Sequence, residues 1–334
     1  MLLKPLTIKN LKLKNRLVMA PMCMYVSDDQ GFVQPFHPIH YGTRAIGGVG
    51  LIIQEATAVH PAGRITGGDL GIWLDEHISG LKEIVKAIHD NGAYAGIQLN
   101  HAGRKARVPG AVAPSAIPYS PKHQTPKEMT EADILATILD FQKAALRANQ
   151  AGYDMLELHA AHGYLLHEFL SPNTNHRTDV YGDRKKFFTD VVKAIREVWP
   201  MEKVFAVRFS GSEFVPNGVT DLWLAELINE TKHLGIDLID VSSGGNMIEQ
   251  EIDLYPGYQL PFAKTIKALT KLPTIGGGLI DNLQFANQAL INEEADLIYL
   301  GRLLLREPYY IINHANRELK EDVPYPEPYL RGKK

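Results

Sequence analysis

Two histidines and a tyrosine stand close together in His159-Ala-Ala-His162-Gly-Tyr164. Imidazole N–H groups can polarise a carbonyl oxygen and a phenol can donate a proton, so the cluster suits a site that grips a carbonyl and protonates an atom beside it. A His-x-x-His pair on a helical turn could instead share a metal ion. No third ligand recurs near it with metal-like spacing, however, and the chain has no His-Glu-x-x-His helix. Arg208 lies in the apolar run 204–209, where an unpaired charge is expensive. It needs a buried carboxylate as partner, or a cofactor that becomes anionic on reduction and is stabilised by the guanidinium. Gly276-Gly277-Gly278 and Gly301-Arg302 follow two apolar runs late in the chain. Their backbone N–H groups could cradle a phosphate, with Arg302 adding charge, or the glycine pair 277–278 could simply make a tight left-handed turn.

These groups are far apart in sequence, so the fold must bring them together. Short runs rich in Val, Ile and Leu occur at 16–20, 50–55, 94–99, 155–159, 204–209, 238–242, 274–276 and 297–300. Between them lie amphipathic stretches at 75–90, 132–149, 187–198, 221–234, 262–269, 282–291 and 309–320, several opened by Asp, Ser or Thr and closed by Gly. This alternation predicts βα units around a parallel sheet, and eight units predict an α/β (β/α)8 TIM barrel in a single domain spanning 1–334. No Gly-x-Gly-x-x-Gly opens the first unit, which argues against a dinucleotide-binding open sheet. In a barrel the C-terminal ends of all strands converge on one mouth. Chemistry is expected there from Pro21-Met22-Cys23-Met24-Tyr25, Glu55-Ala56-Thr57, Gln98-Leu99-Asn100-His101, the His159 cluster, Arg208, Ser242-Ser243 and the two glycine sites. The irregular segment 101–129, rich in Pro and Ala, reads as a long capping loop after the third strand.

Composition narrows the function. The 334 residues carry a formal net charge of −3, with 45% hydrophobic and 22% charged side chains. That gives neither the basic stripe expected of a nucleic-acid binder nor a footprint for an anionic membrane, so the expected partner is a small molecule. No apolar run reaches the roughly 18 residues of a membrane span, and no signal-peptide pattern opens the chain. The lone Cys23 excludes an intrachain disulfide and fits a reducing compartment, so a cytoplasmic location is expected. A Schiff-base aldolase is disfavoured because the sixth run ends in serines and glycines, where a lysine would be wanted.

Four longer stretches resemble the Old Yellow Enzyme family of FMN oxidoreductases, and its thermophilic-like branch most closely. They are Ala20-Pro-Met-Cys-Met-Tyr25, Gln98-Leu-Asn-His-Ala-Gly-Arg-Lys105, the segment His159 through Pro172, and Asn175-His-Arg-Thr-Asp179. The resemblance implies FMN as cofactor and NADPH or NADH as hydride donor. The acceptor it implies is an electron-poor alkene such as an α,β-unsaturated carbonyl or nitro compound, reduced in a ping-pong cycle. By the same resemblance Pro21, Met22, Cys23, Ala56, Gln98 and Arg208 surround the flavin ring, and Gly278, Gly301 and Arg302 hold its phosphate. His159 and His162 then bind the acceptor's carbonyl, Tyr164 donates the proton and Tyr25 adds a substrate contact. Cys23 is implied to tune the flavin rather than attack a substrate. The tail Pro328-Tyr-Leu-Arg331 resembles one whose arginine enters a neighbouring subunit's site, which implies a homodimer or homotetramer. One departure stands out: where the family continues after Asp179-Val-Tyr-Gly182 through a longer Gly-Ser-x-x-Asn-Arg stretch, this chain passes directly to Asp183-Arg-Lys-Lys-Phe187. The pocket wall after the fourth strand is therefore expected to differ.

Overall fold

The computed structural model describes residues 1–333. Eight strands close a parallel barrel: β1 Leu17–Met19, β2 Leu51–Ala58, β3 Tyr94–Asn100, β4 Met155–Ala160, β5 Val204–Ser210, β6 Leu238–Ser242, β7 Thr274–Gly276 and β8 Leu297–Leu300. Each pairs with its successor in sequence, and β8 returns to pair with β1 through Ile298↔Leu17 and Leu300↔Met19. The expected (β/α)8 TIM-barrel architecture is the one observed. β2 runs three residues beyond the expected stretch; after an irregularity between Gln54 and Thr57, its ladder with β3 resumes at Thr57 and Ala58. Ala56, a candidate cofactor contact, lies at that irregularity, where the ladder is broken.

The strands form as near-continuous apolar runs because both faces of a parallel barrel are covered. Residues pointing outward, such as Ile52, Ile97, Leu156, Phe205 and Ile239, pack against helices including His77–His89, Glu131–Ala151 and Lys186–Val198. Local signals fix those helices. Thr130 and Asp133 make a reciprocal capping box at the start of Glu131–Ala151, and Gly152 ends it in the left-handed region at φ +94°. In Lys186–Val198 the buried Phe187, Phe188, Val191, Val192 and Ile195 form one apolar stripe.

The opening residues hold structure that their alternation of lysine with apolar side chains could have disclosed. Leu6–Ile8 and Leu11–Leu13 form an antiparallel hairpin. Its Ile8, Leu11 and Leu13 are buried against Val18, Leu51, Met155, Val204, Leu238 and Leu297, near the strand starts. The hairpin thus plugs the end of the barrel opposite the mouth, each fully buried leucine contributing about 1.5–3 kcal/mol. The segment after β3 is a cap with a little structure of its own: a turn of 3-10 helix at Gly103–Lys105 and a short ladder between Val112–Ala113 and Lys127–Glu128. No helix among the described residues is long and apolar enough to cross a membrane.

Candidate active site

The Asn175-His-Arg-Thr-Asp179 motif anchors the base of the cap. The Arg177 side chain, 5% exposed, pairs with Asp179, donates to the Pro114 carbonyl at 3.1 Å and also bonds the Met129 carbonyl. The shortened loop that follows is tied down as well. Arg184 lies over the Trp223 ring at 4.6 Å, and Lys185 pairs with Glu230 at 2.7 Å. The wall after β4 is therefore drawn toward helix Asp221–Thr231.

β4 delivers His159 at its end, and the chain then turns through His162 at φ +59° and Gly163 at φ +69°. A β-carbon at Gly163 would lie 2.5 Å from the Gly245 carbonyl oxygen, so only glycine lets the loops after β4 and β6 approach this closely. The hydrogen-bond pattern assigns the imidazole protons. Ala161 N–H donates to His159 Nδ1 at 3.2 Å, leaving the proton on Nε2. That N–H faces His162 Nδ1 at 3.3 Å, and His162 Nε2 in turn reaches Ser242 Oγ at 2.7 Å. Burial, then the positive charge of Arg208, holds both imidazoles well below the usual histidine range, so each is neutral with one N–H to give. Tyr164 stands edge-on to His159, ring centroids 4.9 Å apart. Burial, and then Cys23, raises its phenol far above the usual tyrosine range. Its hydroxyl stays protonated and makes no hydrogen bond among the described residues.

The extension of β1 runs along the mouth. Met22 lies beside Gly301, whose added β-carbon would sit 3.5 Å from the Met22 sulfur. Cys23 and Tyr164 pack on the same small cluster of Ile65, Ala102, Ala106, Val108 and Ala111. Met24 N–H donates to Glu55 Oε2 at 2.8 Å, Tyr41 hydroxyl donates to Glu55 Oε1 at 3.0 Å, and Tyr25 is held at φ +55° with its ring half-exposed. Burial, with Glu55 and Asp69 nearby, pushes the Cys23 thiol well up, so it is not a thiolate nucleophile.

At the other side of the mouth a cleft of about 470 Å³ is lined by Ser242, Tyr258, Gln259, Gly278, Tyr299, Gly301 and Arg302, among others. Gly278 adopts φ +99°, and a β-carbon there would strike the Tyr258 ring at 2.9 Å. Arg302 is exposed at the edge of this cleft. Ser242, which receives His162, is itself part of the wall, so one continuous floor leads from the histidines to Arg302.

Arg208 meets a carboxylate, Asp240, at 3.1 Å, and the Tyr299 ring covers its guanidinium at 5.3 Å. The ion-pair alternative is realised, and Tyr299 links the arginine to the cleft wall. Gln98 donates to Glu157 at 2.7 Å on the next strand. Arg331 is not brought to these groups within one chain. It is exposed in the turn Glu327–Gly332, beside Tyr329, which packs on Tyr309 at 6.0 Å.

Sequence reasoning missed Lys105 as a structural staple. Its amine donates to the carbonyls of His162 and Gly245, each at 2.9 Å, and lies 5.2 Å from the Tyr164 ring centre. It also missed Gln259, whose amide donates to Ser242 and Ser243, each at 3.0 Å. Among the described residues no three His, Cys, Asp or Glu side chains are placed to hold a metal ion.

A barrel whose last strands end in a glycine-lined cleft, and whose fourth strand ends in neutral hydrogen-bond donors, has the parts of a site for a phosphate-bearing cofactor. Residues 1–321 match the NADH:flavin oxidoreductase / NADH oxidase family, and the chain is a member of it. It is 50% identical over 337 residues to the NADPH dehydrogenase of Geobacillus thermodenitrificans, covering 99% of this chain and 98% of the relative. The NADPH dehydrogenase of Clostridium acetobutylicum is 46% identical, covering 98% and 97%. Among solved structures, morphinone reductase superposes with a TM-score of 0.82 at 28% identity, covering 98% of this chain and 91% of that one. An Old Yellow Enzyme homologue from Zymomonas mobilis shares the fold, with a TM-score of 0.80 at 24% identity over 96% of this chain and 94% of that one. The chain is thus an FMN-dependent oxidoreductase of the Old Yellow Enzyme type. Its residues fit the cofactor: Gly278, Gly301 and Arg302 line a cleft with room for a phosphate, and Arg208 Nε and Asn100 Oδ1 are buried polar atoms without a hydrogen-bond partner among the described residues.

Proposed function

We propose that the chain is an ene-reductase that takes hydride from NADPH and reduces the activated C=C bond of an α,β-unsaturated carbonyl or nitro compound in a ping-pong cycle. FMN, when bound, supplies the hydride relay between the two. Gly278, Gly301 and Arg302 would hold its phosphate, and Pro21, Met22, Cys23, Ala56, Gln98 and Arg208 its ring. The observation that carries the reading is the trio of neutral donors at the end of β4. The His159 and His162 N–H groups form one chain ending on Ser242, and Tyr164 beside them keeps a protonated hydroxyl with no partner.

An acceptor carbonyl that takes over those N–H groups is polarised, which makes its β-carbon electron-poor. Tyr164 then delivers its proton to the α-carbon, and Tyr25 at the rim contacts the acceptor. Neutral imidazoles serve this better than imidazolium, because they donate hydrogen bonds without competing to release the proton. NADPH is favoured as donor by the names of the relatives. The family likeness of the tail supports a homodimer or homotetramer in which the exposed Arg331 reaches a neighbouring mouth. One barrel domain in a reducing cytoplasm would suit the single, uncharged Cys23.

The test is direct. The purified protein should be yellow, bleach anaerobically with NADPH and recover its colour on addition of 2-cyclohexenone. A colourless protein that takes up no FMN on mixing ends the reading.

A further inference from the structure

Glu157 on β4 and Asp240 on β6 are fully buried inside the barrel, on the two strands that flank Arg208 on β5. The register sets Gln98 beside Glu157 and Asp240 beside Arg208. Gln98 donates to Glu157 Oε1 at 2.7 Å, and Arg208 Nε lies 3.1 Å from Asp240 Oδ2. That ion pair is poorly aligned, so neither Arg208 Nε nor either Asp240 oxygen has a hydrogen-bond partner in the chain; Glu157 Oε2 has none either. Two buried carboxyls therefore face one buried cation. The other titratable groups around the arginine are Tyr299, from β8, His159, opposite it in the ladder, and His162, whose imidazole also feels its charge. Burial keeps the tyrosine protonated and both imidazoles neutral, so none contributes charge.

Two adjacent carboxylates buried against a single cation do not both ionise. One proton between them leaves the cluster neutral: a protonated Glu157, an ionised Asp240 and Arg208. Burial raises both carboxyls, Glu157 further through Asp240, whereas Arg208 and then the contact with Glu157 lower Asp240, so the shared proton is drawn toward Glu157.

We propose that Glu157 and Asp240 are a proton-sharing pair of positioning residues that keeps one negative charge, and no more, against Arg208, and so fixes the charge this arginine offers an anionic ring beside it. The effect on the ring rests on the reading that FMN lies at Arg208; the pair itself does not. Either carboxyl can be the counter-ion. Glu157→Gln imitates the protonated partner and leaves Asp240 in place. Asp240→Asn obliges Glu157 to release its proton and take over. Only the double variant strips Arg208 of its counter-charge.

The holoenzyme is titrated with sulfite, whose sulfur adds through its lone pair to the oxidised flavin and leaves the ring anionic. Each single variant should stay within about threefold of the wild-type affinity, and the double variant should bind about tenfold more tightly, a change of ~1.4 kcal/mol. Infrared spectra in H2O and D2O supply a readout that packing alone would not move, and one that needs no flavin. Burial also raises Glu168, to about 8, and Glu55, to about 7, so the band is read as a difference: wild type minus Glu157→Gln and wild type minus Asp240→Asn should each show the loss of one protonated-carboxyl band. If the double variant does not fold, those three spectra decide. The proposal is overturned by the absence of that lost band from either difference spectrum, or by an Asp240→Asn protein as tight for sulfite as the double variant. A wild type that takes up no FMN would end the flavin reading while leaving the infrared result to judge the pair.

Discussion

Lys105→Met should uncouple the cap from the loop that carries His162 and Tyr164, and its effect can be worked from the structure. The amine donates to two carbonyls, His162 and Gly245, each at 2.9 Å. Burial, opposed by Glu168 and aided by Arg104 and Arg107, lowers the lysine from 10.5 to about 8. At ~1.36 kcal/mol per unit, that displacement is about 3 kcal/mol held against the charged form in the folded state. Losing two hydrogen bonds from a charged donor costs about 1.5–3 kcal/mol each. Removing the buried charge returns about 3 kcal/mol of this. The expected net loss near pH 7 is therefore about 0–3 kcal/mol.

The sign of the pH dependence follows from linkage. The unfolded lysine keeps its proton to about 10.5 and the folded one releases it near 8, so the unfolded state binds more protons between those values and stability rises with pH there. The gap between wild type and Lys105→Met should widen by up to about 3 kcal/mol from pH 8 to pH 10.5. Urea unfolding at pH 7.5, 9 and 10 measures this through the midpoint, provided the slope is unchanged. Parallel midpoint curves for the two proteins would refute the assignment of a buried, strained ammonium at this position.

Three further predictions rest on separate parts of the site. Gly163→Ala forces a β-carbon to within 2.5 Å of the Gly245 oxygen at φ +69°; a loss of at least ~1–3 kcal/mol in thermal unfolding is expected, with a greater loss of enone reduction than of FMN binding. Burial alone would raise Glu213, but hydrogen bonds from His167, Ser171 and Asn173 hold it at about 2. The approximately 3 kcal/mol this contributes is present above the unfolded value near 4.5 and disappears as pH falls through 2, so Glu213→Gln should flatten the acid limb of the stability profile. Arg302→Ala should weaken FMN binding by about 10- to 100-fold while leaving riboflavin binding nearly unchanged, which paired fluorescence titrations would show.

Much of this site was readable before any coordinates. The eight apolar runs gave the barrel because a parallel strand buried on both faces leaves an unbroken hydrophobic signature, and a barrel places all strand ends together. His159, His162, Tyr164, Gly278 and Gly301 could then be read by position. What escaped depends on partners distant in sequence. Lys105 looked like one of several basic residues in an irregular segment, and its acceptors come from the loops after β4 and β6. Gln259 gave no signal, because its partners Ser242 and Ser243 are joined to it only when helix Leu260–Thr270 folds back on β6. Glu157 and Asp240 were within reach. A charge in an apolar strand needs a partner, and this holds for the acids within 155–159 and 238–242 as much as for Arg208. The loop after Gly182 shows the opposite limit: its shortness was plain, but its attachment to Trp223 and Glu230 was not.

Anaerobic stopped-flow spectroscopy of Tyr164→Phe bears most directly on the site as a whole, since it separates the step that needs a proton from the step that does not. Reduction of the flavin by NADPH should proceed at nearly the wild-type rate, while reoxidation by an enone should fall by about 10²-fold or more. Equal slowing of both half-reactions, or an unaltered reoxidation, would contradict the assignment of the free hydroxyl at the end of β4 as the proton source.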